Sequence, residues 1–355
     1  MNLLFQPLTL RGATVRNRIW VSPMCQYSAT DGMPDDWHLV HLGARAVGGA
    51  GVVFTEATAV SPEGRISPQD SGIWNDTQAT AWSRVARFVQ AQGALAGVQL
   101  AHAGRKGSSS RPWEGPGFVR IQDGGWQPVG PTDQAYAGLA QPSALDTAGI
   151  AKVRADFVAA THRAVAAGFD IVELHAAHGY LLHQFLSPVT NTRTDGYGGD
   201  LAGRMRLALE VVEDVRAAWP QDRPLVLRIS ASDWVPGGWT PADSEAFAKE
   251  AAARGVDLVD CSSGGLVPEQ KIAVGPGYQV PFASAIRSGT GVPTGAVGMI
   301  TEPAQAEQIL ADGHADVVLL ARELLRDPCW PLRAAAMLGV DVAWPVQYDR
   351  AKPRR

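Results

Sequence analysis

Two histidines and a tyrosine lie close together near the middle of the sequence. His175, His178 and Tyr180 follow directly on the apolar run 169–174. If that run is a buried parallel strand, the three side chains leave its C-terminal end together, and active sites of α/β barrels are built at that end. Histidine donates to a carbonyl or nitro oxygen and tyrosine can deliver a proton, so the cluster suits a substrate whose oxygen gains negative charge. The spacing also fits two structural histidines or two metal ligands, and by itself it favours a structural role.

Composition predicts an ordinary globular protein that needs no disulfide bond or structural metal ion for its stability. The chain has 355 residues, 46% of them hydrophobic and 19% charged, and its net charge of -4 argues against nucleic acid as a partner. The three cysteines are widely spaced and form no Cys-x-x-Cys pair, which argues against a disulfide framework or a zinc knuckle. No signal peptide and no run of about 18 apolar residues is present. We therefore expect a soluble cytoplasmic protein with no membrane partner.

Short apolar runs alternate with longer helical patterns along the chain, as in repeated βα units. Eight strands are predicted, at residues 19–22, 51–55, 94–100, 170–174, 224–229, 256–260, 292–297 and 315–320. Helices are predicted between them, for example at 77–91, 147–167, 201–219 and 241–254, the last capped by Thr240. Eight such units close naturally into a barrel. An open doubly wound sheet is the alternative, but no Gly-x-Gly-x-x-Gly follows an early strand, as a dinucleotide-binding sheet of that kind would require. The prediction is an α/β chain forming one (β/α)8 TIM-barrel domain over residues 1–355.

Two segments depart from the regular alternation. Residues 104–142, after the third strand, are rich in Gly, Ser, Pro and Trp, so we expect a long loop that roofs the C-terminal end of the barrel. The tail at 340–355 carries Trp344, Tyr348 and Arg350 where a solvated end is usually polar. Docking on a neighbouring subunit and packing on its own barrel are equally compatible with this tail.

Further polar residues occur at the predicted ends of other strands and would converge on one mouth. Gly298, Ala321 and Arg322 follow the last two strands, which is where barrels bind phosphate groups. Arg228 inside the ring needs a negative partner, and Gln99 beside it could donate an amide hydrogen bond. This pairing suits an isoalloxazine, because its reduced form gathers negative charge at one edge.

Motifs spread over nearly the whole chain resemble the Old Yellow Enzyme family of FMN-dependent ene-reductases. They are Ser22-Pro23-Met24-Cys25-Gln26-Tyr27, residues 97–106, His175-Ala176-Ala177-His178-Gly179-Tyr180 with residues 191–199, and Arg322-Glu323-Leu324-Leu325-Arg326-Asp327-Pro328. The pattern around Cys25 and Tyr27 is similar to the thermophilic-like class of the family. The resemblance implies a barrel that holds FMN, takes electrons from NADPH and reduces the activated C=C bond of α,β-unsaturated carbonyls or nitroalkenes. Hydride would pass from flavin N5 to the β-carbon, and Tyr180 would protonate the α-carbon.

The resemblance also implies roles for individual residues. His175 and His178 would hold the substrate oxygen, Tyr27 would bind substrate, and Cys25 would tune the flavin potential. Arg350 would reach the neighbouring subunit's site, which implies a homodimer or homotetramer. The residues implied to contact FMN are Ser22, Pro23, Met24, Cys25, Ala57, Gln99, Arg228, Gly298, Ala321 and Arg322.

Two departures from the family pattern and two rival functions stay open at this stage. Ala321 replaces the usual glycine before the phosphate-contacting arginine. Its methyl group limits how closely the backbone can approach the phosphate group. The segment 107–131 is long and rich in Trp, which leaves the substrate range open. The rivals are a zinc-dependent hydrolase or aldolase using His175, His178 and Glu173, and a flavin carrier without catalytic activity.

Overall fold

The computed structural model describes residues 2–353 and contains a closed barrel of parallel strands. Each strand pairs with the next along the chain and the eighth pairs with the first, which confirms the predicted TIM barrel. The strands are almost completely buried, as expected where helices cover the outside of a parallel sheet. They are β1 (Ile19–Val21), β2 (Val52–Ala59), β3 (Leu95–Ala101), β4 (Ile171–Ala176), β5 (Leu225–Ser230), β6 (Leu258–Ser262), β7 (Thr294–Ala296) and β8 (Val317–Leu320).

All eight predicted strands are present, and only their ends differ. The second strand continues past the predicted residue 55 because its register shifts between Phe54 and Ala57 and pairing with β3 then resumes. The seventh strand is shorter than predicted because only Thr294–Ala296 pair with their neighbours. These differences lie at the boundaries, where sequence patterns are least informative.

The helices between the strands follow the predicted pattern. Thr147–Ala167 has the predicted bounds, Thr240 caps its helix, and Gly168 ends a helix in the left-handed conformation. Within residues 2–353 the helices are α1 (Asp36–Val47), α2 (Asp76–Ala91), α3 (Thr147–Ala167), α4 (Leu181–Leu186), α5 (Leu201–Ala218), α6 (Pro241–Ala253), α7 (Val280–Thr290), α8 (Pro303–Ala311), α9 (Arg322–Arg326) and α10 (Trp330–Met337). None of them is long and apolar enough to cross a membrane.

An antiparallel hairpin closes the N-terminal end of the barrel. Its strands, Leu8–Leu10 and Ala13–Val15, place Leu10 and Val15 against an apolar cluster that includes Trp20 and Phe54. Burial of this cluster removes the N-terminal end from water. The polar side chains of the strands that could form a site therefore lie towards the opposite, C-terminal end of the barrel.

The long segment after β3 is an irregular excursion, as the sequence predicted. It contains the 3₁₀ helices Gly104–Lys106, Pro112–Glu114 and Ile121–Asp123, and a parallel pairing of Val129–Gly130 with Ser143–Ala144. The guanidinium of Arg65 lies 4.7 Å from the ring centroid of Trp126 in this excursion and 5.3 Å from that of Trp74. These contacts attach the excursion to the segment that follows β2, above the C-terminal end of the barrel.

The C-terminal tail packs in part on its own subunit. Trp344 lines a cavity of about 290 Å³ together with residues of α10, and Lys352 forms an ion pair of 2.6 Å with Asp341. Arg350 is exposed in the 3₁₀ helix Val346–Ala351. Residues 354 and 355 of the predicted tail, like residue 1, lie outside the described residues.

Candidate active site

The two histidines and the tyrosine meet at the C-terminal end of β4, as predicted. The ring centroid of His175 lies 5.2 Å from that of His178 and 5.0 Å from that of Tyr180, and both contacts are edge-on. His175 belongs to β4, and the other two residues belong to the turn between β4 and α4. The three polar groups therefore face one small volume above the barrel.

Both imidazoles are held in the neutral form. Burial, followed by the nearby positive charge of Arg228, lowers the pKa of His175 and of His178 well below the usual range. A neutral imidazole offers one N–H donor and one acceptor. His178 Nε2 is 2.7 Å from Ser262 Oγ, whereas His175 Nδ1 is buried with no hydrogen-bond partner among the described residues. A buried polar atom without a protein partner is one that a bound ligand can satisfy.

Tyr180 is held in its protonated form. Burial raises the pKa of its phenol well above the usual value. Ionisation of the neighbouring Cys25 or Tyr27 would raise that pKa further. A protonated phenol beside two neutral imidazoles can deliver a proton.

Lys106 joins this cluster although the sequence analysis gave it no role. Its Nζ donates to the carbonyl oxygen of His178 at 2.9 Å and to that of Gly265, and it lies 4.5 Å from the ring centroid of Tyr136. Burial, and then the charge of Arg105, lowers the pKa of Lys106 to about 7. Lys106 lies in the 97–106 motif, and this motif is the feature of the sequence that could have identified it as a site residue.

The segment after β1 contributes a thiol and a second phenol. Cys25 and Tyr27 lie close enough for each to influence the ionisation of its surroundings, and Cys25 is also close to the backbone of Ala57. Burial, with Asp70 and Glu56 nearby, raises the pKa of Cys25, so it is a thiol rather than a thiolate. The same burial raises the pKa of Tyr27. Pro23 and Met24 are half-buried beside them.

Tyr27 is also in contact with the long excursion after β3. Its ring meets that of Trp113 edge-on, with the centroids 5.8 Å apart. Trp113 is otherwise 63% exposed. The excursion therefore places an aromatic side chain against Tyr27.

A missed carboxylate, Glu56, anchors the segment after β1. It accepts hydrogen bonds from the backbone N–H of Gln26 and from His38 Nε2, the latter at 2.9 Å. Burial alone would lower the pKa of His38, but its bonds to Glu56 and Asp35 outweigh burial and raise that pKa. Neither Glu56 nor His38 was assigned a role from the sequence, because nothing in the local pattern shows that the two side chains meet.

A layer of charged and polar side chains fills the barrel below the histidines. Arg228 donates from Nη2 to Ser22 Oγ at 2.9 Å, and its Nε forms an ion pair of 2.9 Å with Asp260 Oδ2. Asp260 is the negative partner that the sequence required but did not identify. It lies opposite Arg228 in the register of β5 and β6.

Gln99 occupies a different place in this layer from the one expected. It donates from Nε2 to Glu173 Oε1 at 2.6 Å, rather than pairing with Arg228. Burial, followed by the charge of Asp260, raises the pKa of Glu173 to about 8, and its Oε2 has no partner among the described residues. A zinc site of His175, His178 and a carboxylate such as Glu173 was a rival hypothesis, and Glu173 is instead bound to Gln99. Residues 2–353 contain no group of three or more His, Cys, Asp or Glu side chains that could hold a metal ion.

A cavity of about 350 Å³ lies at the ends of β7 and β8, next to the histidines. Gly298, Ala321 and Arg322 line it, as predicted, and so does Ser262, which also bonds His178. Gly298 has φ of 114°, and a Cβ there would lie 2.8 Å from Gln279 Nε2, so only glycine fits. Ala321 has φ of -108°, and its backbone does not require the glycine expected at this position.

Arg350 is the one predicted site residue that this chain does not bring to the cluster. No hydrogen bond, ion pair or ring contact joins it to the other site residues within 2–353. Its tail packs against α10, as described above.

Comparisons with known proteins agree over almost the full length. A family model described as "NADH:flavin oxidoreductase / NADH oxidase family" matches residues 3–340. The chain is 47% identical over 350 residues to an NADPH dehydrogenase of Geobacillus thermodenitrificans, covering 98% of each chain. It is 45% identical over 353 residues to an NADPH dehydrogenase of Listeria monocytogenes, covering 99% of each.

Solved structures show the same similarity. Morphinone reductase matches with a TM-score of 0.80 and 29% identity, covering 97% of this chain and 91% of that chain. Morphinone reductase in complex with tetrahydroNAD matches with a TM-score of 0.79 and 29% identity, covering 96% of this chain and 92% of that chain.

Proposed function

This chain belongs to the NADH:flavin oxidoreductase / NADH oxidase family, within the Old Yellow Enzyme group, and we propose that it is an ene-reductase. The family and the NADPH dehydrogenase relatives establish an FMN-dependent oxidoreductase that oxidises NADPH. The proposed substrates are α,β-unsaturated carbonyls and nitroalkenes. The observation that carries this proposal is the meeting of two neutral imidazoles with a protonated phenol at the C-terminal end of β4.

The residues present fit FMN. The cavity beside Gly298, Ala321 and Arg322 offers a guanidinium and a close backbone approach for the phosphate. Arg228 places a buried positive charge at the other end, and Ser22, Pro23, Met24, Cys25, Ala57 and Gln99 complete the proposed contacts. When bound, FMN supplies the hydride that the alkene takes up at its β-carbon.

His175 and His178 are proposed to bind the carbonyl or nitro oxygen of the alkene. Each is neutral, so each can donate one N–H while the remaining nitrogen stays aprotic. The unpaired Nδ1 of His175 marks the place where a ligand completes the hydrogen bonding. Donors fixed before the reaction stabilise the negative charge that develops on the oxygen.

Tyr180 is proposed to deliver the proton to the α-carbon. Its raised pKa keeps the phenol protonated throughout the physiological pH range. Tyr27 and Trp113 form an aromatic wall against which an apolar substrate packs, and Cys25 lies beside the proposed flavin position as a neutral thiol.

The test is reoxidation of the NADPH-reduced enzyme by cyclohexenone without oxygen. We expect the double variant His175→Ala/His178→Ala to lose about a hundredfold or more in this rate, as when oxyanion donors are removed. His162→Ala, on the exposed face of α3, is the matched control. Unchanged reoxidation in the double variant, or no acceleration by cyclohexenone in the wild type, contradicts the proposal; the second result favours a flavin carrier.

We also propose a cytoplasmic homodimer or homotetramer in which Arg350 reaches the neighbouring site. Arg350 is exposed, and no hydrogen bond or ion pair within residues 2–353 ties it to the site of its own chain, which supports this arrangement. Sedimentation of the wild type tests the assembly. A monomer that retains full activity, with Arg350→Ala unaffected in KM, contradicts it.

A further inference from the structure

The turn that carries His178 and Tyr180 has an unfavourable backbone. His178 has φ of 58° and Gly179 has φ of 71°, so two consecutive residues are left-handed. A residue other than glycine rarely adopts this backbone conformation unless the surrounding structure holds it there. A Cβ on Gly179 would lie 2.3 Å from the carbonyl oxygen of Gly265, so the turn is also tightly packed. Something must therefore hold this backbone in place.

A third histidine, on α4, bonds this backbone directly. The N–H of Gly179 donates to His183 Nδ1 at 2.9 Å, and His183 Nε2 is 2.9 Å from Asp233 Oδ1. A backbone N–H can only donate, so Nδ1 must be unprotonated and Nε2 must carry the proton that is donated to Asp233. The side chains of His183 and Asp233 are completely buried.

Asp233 is itself fixed by two further donors. Ser187 Oγ donates to Asp233 Oδ2 at 2.6 Å, and the backbone N–H of Trp239 donates to the same oxygen at 2.7 Å. Burial alone would raise the pKa of Asp233, but the bonds to His183, Ser187 and Trp239 outweigh it and lower that pKa. The ionised carboxylate thus ties the turn after β4 to the segment between β5 and α6.

We propose that His183, oriented by Asp233, is a positioning residue that holds the Gly179 backbone so that His178 and Tyr180 face the substrate together. This positioning role rests on the functions proposed above for His178 and Tyr180. His183 touches no substrate, because both of its ring nitrogens are engaged inside the protein. Replacing both partners of a buried hydrogen bond by apolar groups of the same shape is often nearly neutral for stability, so stability alone gives a weak reason for the pairing of His183 with Asp233.

Three substitutions of His183 separate its two bonds. The amide of asparagine overlies Nδ1 of histidine, so His183→Asn can still accept from Gly179, whereas the longer His183→Gln reaches towards Asp233. His183→Leu removes both bonds. We expect His183→Leu to lower the rate of enone reduction about a hundredfold, the effect of a small misplacement of reacting groups, with a smaller change in KM. His183→Asn should recover part of the rate, and His183→Gln less.

Three measurements distinguish positioning from a purely structural role. Bound FMN per chain and the Tm should stay close to wild type in His183→Asn while its rate changes. Nitrogen-15 NMR of the wild type should show the His183 proton on Nε2. If His183→Leu does not fold, Asp233→Asn and Ser187→Ala carry the same test, with a rate loss that exceeds any loss of FMN.

The outcomes also separate this inference from the proposed function. A proton on Nδ1 of His183, or wild-type turnover in His183→Leu while His178→Ala and Tyr180→Phe are impaired, overturns the positioning role alone. Parallel losses of FMN, Tm and rate in every His183 and Asp233 variant overturn it as well. If His178→Ala and Tyr180→Phe themselves turn over normally, the proposed function fails and the positioning role falls with it.

Discussion

Arg228 and Asp260 face each other on neighbouring strands, with 2.9 Å between Arg228 Nε and Asp260 Oδ2. The pair is buried in the barrel below His175, where water cannot screen it. The positive charge that Arg228 presents to a bound flavin is therefore set in part by Asp260.

Neutralising Asp260 should raise the midpoint potential of the bound flavin. Asp260→Asn leaves the charge of Arg228 less compensated, which favours the more negative reduced cofactor. We expect a rise of about 30 mV, which corresponds to ~1.4 kcal/mol for two electrons. Spectroelectrochemical titration at pH 8 measures it, with Asp257→Asn at the opposite end of the barrel as the control. A potential equal to or below that of the wild type contradicts the prediction.

Substituting Gly298 should weaken FMN binding. Gly298→Ala places a Cβ 2.8 Å from Gln279 Nε2 in a left-handed backbone, at the wall of the cavity proposed for the phosphate. We expect affinity to fall about tenfold, since such backbone strain costs ~1 to 3 kcal/mol. Flavin fluorescence during rebinding to apoprotein gives the Kd. Gly313→Ala, left-handed but far from the cavity, should bind FMN normally; equal losses in both variants would assign the effect to stability.

Removing the phenol of Tyr180 should slow alkene reduction without weakening substrate binding. Tyr180→Phe should lower the rate by about 10² to 10⁴, the usual contribution of a general acid. Because the pKa of Tyr180 is raised, the wild-type rate should show no loss from this phenol as pH rises to 10. Stopped-flow reoxidation across pH tests both points, with Tyr197→Phe, whose phenol donates to Glu210 on α5, as the control. A wild-type rate in Tyr180→Phe assigns the proton to another donor.

Replacing Glu173 should stabilise the protein more at pH 8 than at pH 5. The pKa of Glu173 is about 8 when folded, above its value in the unfolded chain, so the unfolded state loses this proton first as pH rises. Wild-type stability from this group is complete below about pH 4.3 and is lost progressively towards pH 8. Glu173→Gln removes that dependence.

Urea denaturation at both pH values measures this difference. Glu302→Gln, exposed at the start of α8, is the control for the loss of a carboxylate elsewhere in the chain. A stability difference between Glu173→Gln and wild type that is the same at pH 5 and pH 8 contradicts the raised pKa.

The sequence by itself determined the barrel and most of the residues around its mouth. Strand and helix periods are local properties, so the eight predicted strands and Thr147–Ala167 are present in the structure. Residues that directly follow strands converge once the barrel closes, which is why His175, Arg228 and Gly298 were predictable as neighbours.

Only the tertiary structure decided which partners these residues have. Asp260 meets Arg228, Gln99 bonds Glu173, and His183 bonds Asp233, because strand register and loop packing fix contacts that no local pattern encodes. The protonation states of His178 and Tyr180 likewise follow from burial, which arises only when distant segments close over them. The spacing of residues in the chain thus gave the chemistry available at the site, and the folded packing set the charge and orientation with which it is presented.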